Sequence, residues 1–157
     1  MRRVRELGPP GKERLGTPGL IAAVLLAATT LAVYWGAWRF DFVNFDDDIA
    51  VLQNPRIAID GGAAGVPRAA LGLFRFERTR EYLPVRDGSY LFDRLVWGGL
   101  HPAGFHLTNL ILHIASGLLL VRLATALGAS LAAGVFAGSV FLLHPLHQRG
   151  GAVVADL

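Results

Sequence analysis

The sequence contains no cysteine. A disulfide framework and a thiolate metal site are therefore both excluded. Charge is scarce as well: Asp, Glu, Lys and Arg make up 17% of the 157 residues, where a soluble domain carries about 25%. The shortage is concentrated late in the chain. Between Gly98 and Leu157 only Arg122, Arg149 and Asp156 are formally charged. With 53% hydrophobic residues and a mean hydropathy of +0.45, this is a membrane composition. The net charge of +3 does not point to nucleic acid, because the basic residues form no stripe with interleaved aromatics. No clear Ala-x-Ala cleavage site follows the first apolar run, and that run is long for a leader. Both features favour a retained span over a secretory signal peptide.

What is present is arranged in blocks. Residues 1–18 form a basic tail with Arg2, Arg3, Arg5, Lys12 and Arg14, broken by Pro9, Pro10, Gly11 and Pro18. Residues 19–38 carry no charge, and a helix of that length spans roughly 30 Å, about one hydrocarbon core. Tyr34, Trp35 and Trp38 close it, where an aromatic belt belongs. Residues 39–101 are polar, with eight Arg and nine Asp or Glu. The positive-inside rule keeps the Arg-rich tail in the cytoplasm and puts this loop outside.

At the start of the loop, Asp46, Asp47 and Asp48 follow one another between aromatic and aliphatic residues. Two readings stand. Carboxylates just outside a span can bind a cation or take a proton from a substrate hydroxyl. Asp and Asn also favour turns and helix starts with no chemistry attached. Further on, residues 85–100 have the pattern of a short amphipathic helix. Gly88, Phe92, Leu95, Val96 and Gly99 lie on one side, and Arg86, Asp87, Asp93 and Arg94 largely elsewhere. A membrane-surface helix has this pattern, and so does a helix packed on a soluble core.

A second span is expected over 102–127. His106, Asn109, His113 and Ser116 are spaced 3, 4 and 3 and fall within about 80° of one helix face. Such a stripe lines a watery cavity or hydrogen-bonds neighbouring helices. A third span is expected over 131–146. Its Ser130-x-x-x-Gly134-x-x-x-Gly138 pattern allows close helix approach. It ends in His144-Pro145-Leu146-His147, a histidine pair that can meet a metal or a phosphate. Residues 147–157 then begin a second outer loop with no polar domain behind it, the pattern of a fragment.

Four phrases in register resemble one family. They are Phe42-Val43-Asn44-Phe45-Asp46-Asp47-Asp48 with Gln53-Asn54-Pro55, Tyr82-Leu83-Pro84-Val85-Arg86-Asp87, Gly104-Phe105-His106-Leu107-Thr108-Asn109-Leu110 with His113, and His144-Pro145-Leu146-His147. Together they resemble the N-terminal membrane part of the transmembrane, tetratricopeptide-repeat O-mannosyltransferases and their bacterial relatives, which are GT-C glycosyltransferases.

The resemblance implies an all-α membrane protein, here the N-terminal fragment of a polytopic helical bundle with three transmembrane helices. It implies transfer of a sugar, mannose, from a polyprenyl-phosphate donor to a hydroxyl of a protein or glycan, in a membrane such as the bacterial inner membrane. Asp46 and Asp47 would be the catalytic acids or would hold a divalent cation, Mg or Mn. Arg86, His106, His144 and His147 would bind the donor phosphate. One departure stands out: the family continues His-Pro-Leu-His with Val-Glu-Ser, whereas Gln148-Arg149-Gly150 follows here. A non-catalytic scaffold or remnant is the competing reading. A transporter fragment would explain the polar stripe but not the long acidic loop.

Overall fold

A computed structural model describes residues 16–42, 48–76 and 82–144. Among them there is no strand. Five α-helices are present: α1 Thr17–Val33, α2 Val66–Gly72, α3 Pro84–Val96, α4 Pro102–Ala126 and α5 Leu131–Leu143. Short turns of other helical type lie between them, at Ala37–Arg39, Asp48–Leu52 and Gly62–Gly65.

The local rules explain the boundaries. Helices α1 to α4 each carry a proline at the first or second position, where its missing N–H costs nothing and its fixed φ suits the helix. Helix α5 begins instead on Ser130, whose hydroxyl accepts from the Ala133 N–H at 3.2 Å, an ordinary N-cap. It ends before His144, which is extended, as a residue preceding proline must be.

The chain is an all-α membrane protein. Thr17–Arg39 and Pro102–Ala126 are long and apolar enough to cross a bilayer, with mean hydropathy 1.9 and 1.7. Only 11% of each apolar stretch is buried in the chain itself; the central helix of a soluble protein would be covered on all sides. Helix α1 packs on the other helices. Its Leu26 packs with Val121 of α4 and Leu142 of α5. Its Thr30 is fully buried and donates to the Leu26 carbonyl at 2.8 Å. Helix α5 has 13 residues, roughly 20 Å of helix and short of a hydrocarbon core. The rest of the expected third span, from residue 145, lies outside the described residues.

Two cores hold the molecule. Between the long helices, small residues bring α4 and α5 together. A Cβ on Gly117 would run into the Leu142 side chain, and one on Gly138 into Val121. In the loop, Val51, Ile57, Ala69, Leu73 and Leu91 form a second core around Phe105. Phe105 belongs to the first turn of α4, so the loop core is fastened to the span. Replacing Gly138 by Leu should cost about 1–3 kcal/mol by overpacking. Gly72→Ala, where a Cβ meets nothing within 4 Å, should cost little. Thermal unfolding in detergent micelles compares the two.

Candidate functional site

The acidic run Asp46-Asp47-Asp48, expected from its residue types to form a turn, is the natural starting point. Asp46 and Asp47 lie outside the described residues, as does His147. Asp48 opens the Asp48–Leu52 turn. The flanks of the acidic turn are described, and both rest on the same support. Phe42, on one side, meets the Phe105 ring edge-on at 5.5 Å between centroids. Val51, on the other, is buried in the core around Phe105. Tyr90 of α3 approaches the same ring at 6.0 Å. Both ends of the turn are thus carried on the first turn of α4, one residue from His106.

Behind this support is a buried polar network that the sequence did not announce. The Asp87 carboxylate is 1% exposed and accepts from three residues. Arg56 Nη1 donates to its Oδ2 at 3.1 Å. Asn54 Nδ2 donates to Oδ1 at 3.3 Å, and so does Arg86 Nη2. Asn54 also donates to the Ala50 carbonyl and accepts from the Arg56 backbone N–H, which shapes the turn around Pro55. Arg56 reaches across to the Arg75 carbonyl at 3.3 Å. Segment 50–56, the chain just after α2 at Arg75 and the start of α3 are therefore tied to one carboxylate. Of the expected phosphate-binding residues, Arg86 belongs to this network, with its side chain 35% exposed.

The expected polar stripe on α4 divides. The ring of His113 sits against Tyr34 at 5.7 Å and Phe141 at 5.3 Å, and its Nε2 lies 3.1 Å from the Leu142 carbonyl. That carbonyl is in the last turn of α5, where intrahelical donors run out. His113 therefore caps the neighbouring helix. Ser116 bonds to its own helix at Leu112, and Asn109 is exposed. The reason is angular: the 3-4-3 spacing spreads over about 80°, and α5 covers only the histidine edge. His106 lies seven residues before His113, on the same edge within about 20° and roughly 10 Å further along the axis. It is half-buried, and its Nε2 is buried with no hydrogen-bond partner among the described residues. His144 is exposed at the end of α5. His106 and His144 thus stand at the same end of the α4–α5 pair, while Arg86 stands with the loop.

A third acid was also missed. Asp93 is 2% exposed, and its Oδ1 has no partner among the described residues. Burial pushes its pKa up, against hydrogen bonds from Thr108 and Trp97 that pull it down. Asn54 and Asp87 lie inside two of the four phrases, and Asp93 lies on the expected amphipathic helix, but nothing in the sequence marked them as buried; Arg56 carried no signal. Among the described residues no three His, Asp or Glu side chains converge to hold a metal ion.

Comparison with known proteins gives partial matches. The chain is 43% identical over 72 residues to Protein O-mannosyl-transferase Tmtc2 of Drosophila melanogaster, covering 44% of this chain. It is 24% identical over 153 residues to Protein O-mannosyl-transferase TMTC4 of Homo sapiens, covering 84% of this chain. It spans 8% of the fly protein and 20% of the human one. No family model matches, and no solved structure does.

Two outcomes are expected. Asp87→Ala removes the carboxylate that buried Arg56 pairs with and should destabilise the chain by about 3–5 kcal/mol, read by thermal unfolding. For Asp93, the folded pKa lies above the ordinary 3.8. Its contribution to stability is therefore complete below that value and is lost as pH rises through the folded pKa. Asp93→Asn cannot ionise, so its stability relative to wild type should improve from about pH 4 towards pH 8. A constant difference across that range would refute the assignment.

Proposed function

We propose that this chain forms the N-terminal membrane part of a glycosyltransferase. It moves a sugar, mannose, from a polyprenyl-phosphate donor to a hydroxyl, that of a protein Ser or Thr. One observation carries the reading to this chain's residues. The flanks of the acidic turn, Phe42 and Val51, rest on Phe105 beside His106. The likeness to two proteins named O-mannosyl-transferases supports it.

In this reading the acidic turn lies on the outer side of the membrane and the N-terminus in the cytoplasm, in line with the Arg-rich start. Asp46 takes the proton of the acceptor hydroxyl as its oxygen attacks the anomeric carbon. The bond from that carbon to the phosphate oxygen breaks, and polyprenyl phosphate leaves with the electron pair. Configuration at the sugar inverts. Asp47 stands as the second acid. Arg86, His106, His144 and His147 supply the positive charge and hydrogen-bond donors that stabilise the leaving phosphate. The buried, unsatisfied Nε2 of His106 fits a group waiting for a partner. The Asp87 network acts by position: it fixes Arg86 and the segment that follows the acidic turn. Asp46 and Asp47 would be the ligands of a divalent cation, Mg or Mn, and no step here is routed through one.

Asp46→Asn in the full-length enzyme keeps size and loses the proton acceptor. Sugar transfer from a polyprenyl-phosphate donor should fall about 10²–10⁴-fold, with the melting temperature unchanged. Asp47→Asn should show a smaller loss, and Asp48→Asn should be tolerated best. Wild-type turnover in both Asp46→Asn and Asp47→Asn would make the acidic turn structural.

A further inference from the structure

Helix α3 is turned inside out. Its charged residues Asp87 and Asp93 are 1% and 2% exposed, while its apolar residues Val85, Phe92 and Val96 are 87%, 57% and 54% exposed. The three apolar residues are spaced by seven and four, which puts them within about 40° of one another on one face. The opposite side meets the loop core through Leu91. There the charges are met too: Asp87 by Arg56 and Arg86, and Arg94 by donating to the Ile57 carbonyl at 3.2 Å. A helix packed on a soluble core would bury its apolar face and expose its charges. The sequence pattern left both arrangements open, and the fold has the apolar face outward.

The level of this face is set by α4. Trp97, directly after α3, donates from Nε1 to Thr108 Oγ1 at 3.3 Å. Its ring lies where a side chain on Gly104 would have to go. The end of α3 is therefore clamped to the stretch 104–108 of α4. A 25-residue helix is roughly 38 Å long, against about 30 Å of hydrocarbon, so about 4 Å projects at each end. Thr108 is six residues from Pro102, roughly 9 Å along the axis. The clamp thus sits at the boundary between headgroups and acyl chains, the depth that suits tryptophan.

We infer that the exposed face of α3, Val85–Phe92–Val96, lies on the lipid at the outer edge of the membrane. The helix floats there as an interfacial element, with Asp87 and Arg94 bonded to the loop on its other side. Its occupant is the headgroup–acyl boundary of the same bilayer that α4 crosses. Helix α4 also presents apolar residues outward below the clamp, with Ile111 and Leu112 54% and 52% exposed. This anchoring also fixes the height of the Asp87 network above the membrane. It does not depend on the glycosyltransferase reading.

The test uses the absence of native cysteine. Single cysteines at Val85, Phe92 and Val96 are labelled with an environment-sensitive fluorophore, and the full chain is reconstituted into phosphatidylcholine vesicles. Ala63→Cys in the Gly62–Gly65 turn and Ile111→Cys in α4 serve as aqueous and deep-membrane references. Quenching is measured with iodide and with lipids spin-labelled near the headgroup or deep in the chain. The expected result is strong quenching by the shallow lipid label and weak quenching by iodide at all three positions. It corresponds to a depth of about 5–10 Å into the boundary. Iodide quenching equal to that at Ala63→Cys would put the face in water and overturn the inference. Protection from both quenchers would mean that protein covers it, and deep-label quenching like that at Ile111→Cys would mean that α3 is immersed. Either result also overturns it.

Discussion

The arrangement depends on one buried carboxylate. Asp87 is almost completely removed from solvent, and an ionised group so placed is tolerated only when its lone pairs are met by donors. Arg56, Asn54 and Arg86 meet them. Because these partners come from the segment 54–56 and from α3 itself, the charged side of α3 must face the loop. Its apolar side is then left outward. A single electrostatic requirement thus sets the rotation of α3 about its own axis. It also sets the path of the chain that leads out of the acidic turn.

Helix α4 carries everything else. Its first turn sends Phe105 into the loop core, against Val51, Ile57 and Leu91. Two turns later His113 reaches the end of α5 at the Leu142 carbonyl. Lower down, Gly117 and Val121 meet Leu142 and Gly138 in close contact. Between hydrocarbon-solvated helices there is no hydrophobic drive to associate, so close packing of small residues and cross-helix hydrogen bonds take over. The loop and the bundle therefore share one rigid element, and a group placed on the first turn of α4 is positioned relative to both.

The candidate site inherits this logic. Its expected members divide between two supports. Arg86 is held by the Asp87 network on the loop side, and His106 and His144 stand at one end of the α4–α5 pair. Phe105 links the two, since it touches the flank of the acidic turn and belongs to the helix that bears His106.

Much of the architecture was legible in the residues. The apolar runs announced α1 and α4 as helices of membrane-crossing length, because a bilayer demands length and hydrophobicity and little else. Prolines at helix starts, and Ser130 before α5, set boundaries by rules that act over one turn. The small-residue spacing around Gly138 predicted close approach for the same local reason. By itself the sequence determined which segments are helical and which are apolar. The tertiary structure alone decided which way each helix faces. The amphipathic period of α3 is the same whether its charges point to water or to Arg56. On α4, the spacing that groups His106, Asn109, His113 and Ser116 does not say which edge α5 will cover. Facing is set by partners distant in sequence: Arg56 is 31 residues from Asp87, and Leu142 is 29 from His113. A local pattern holds no record of them.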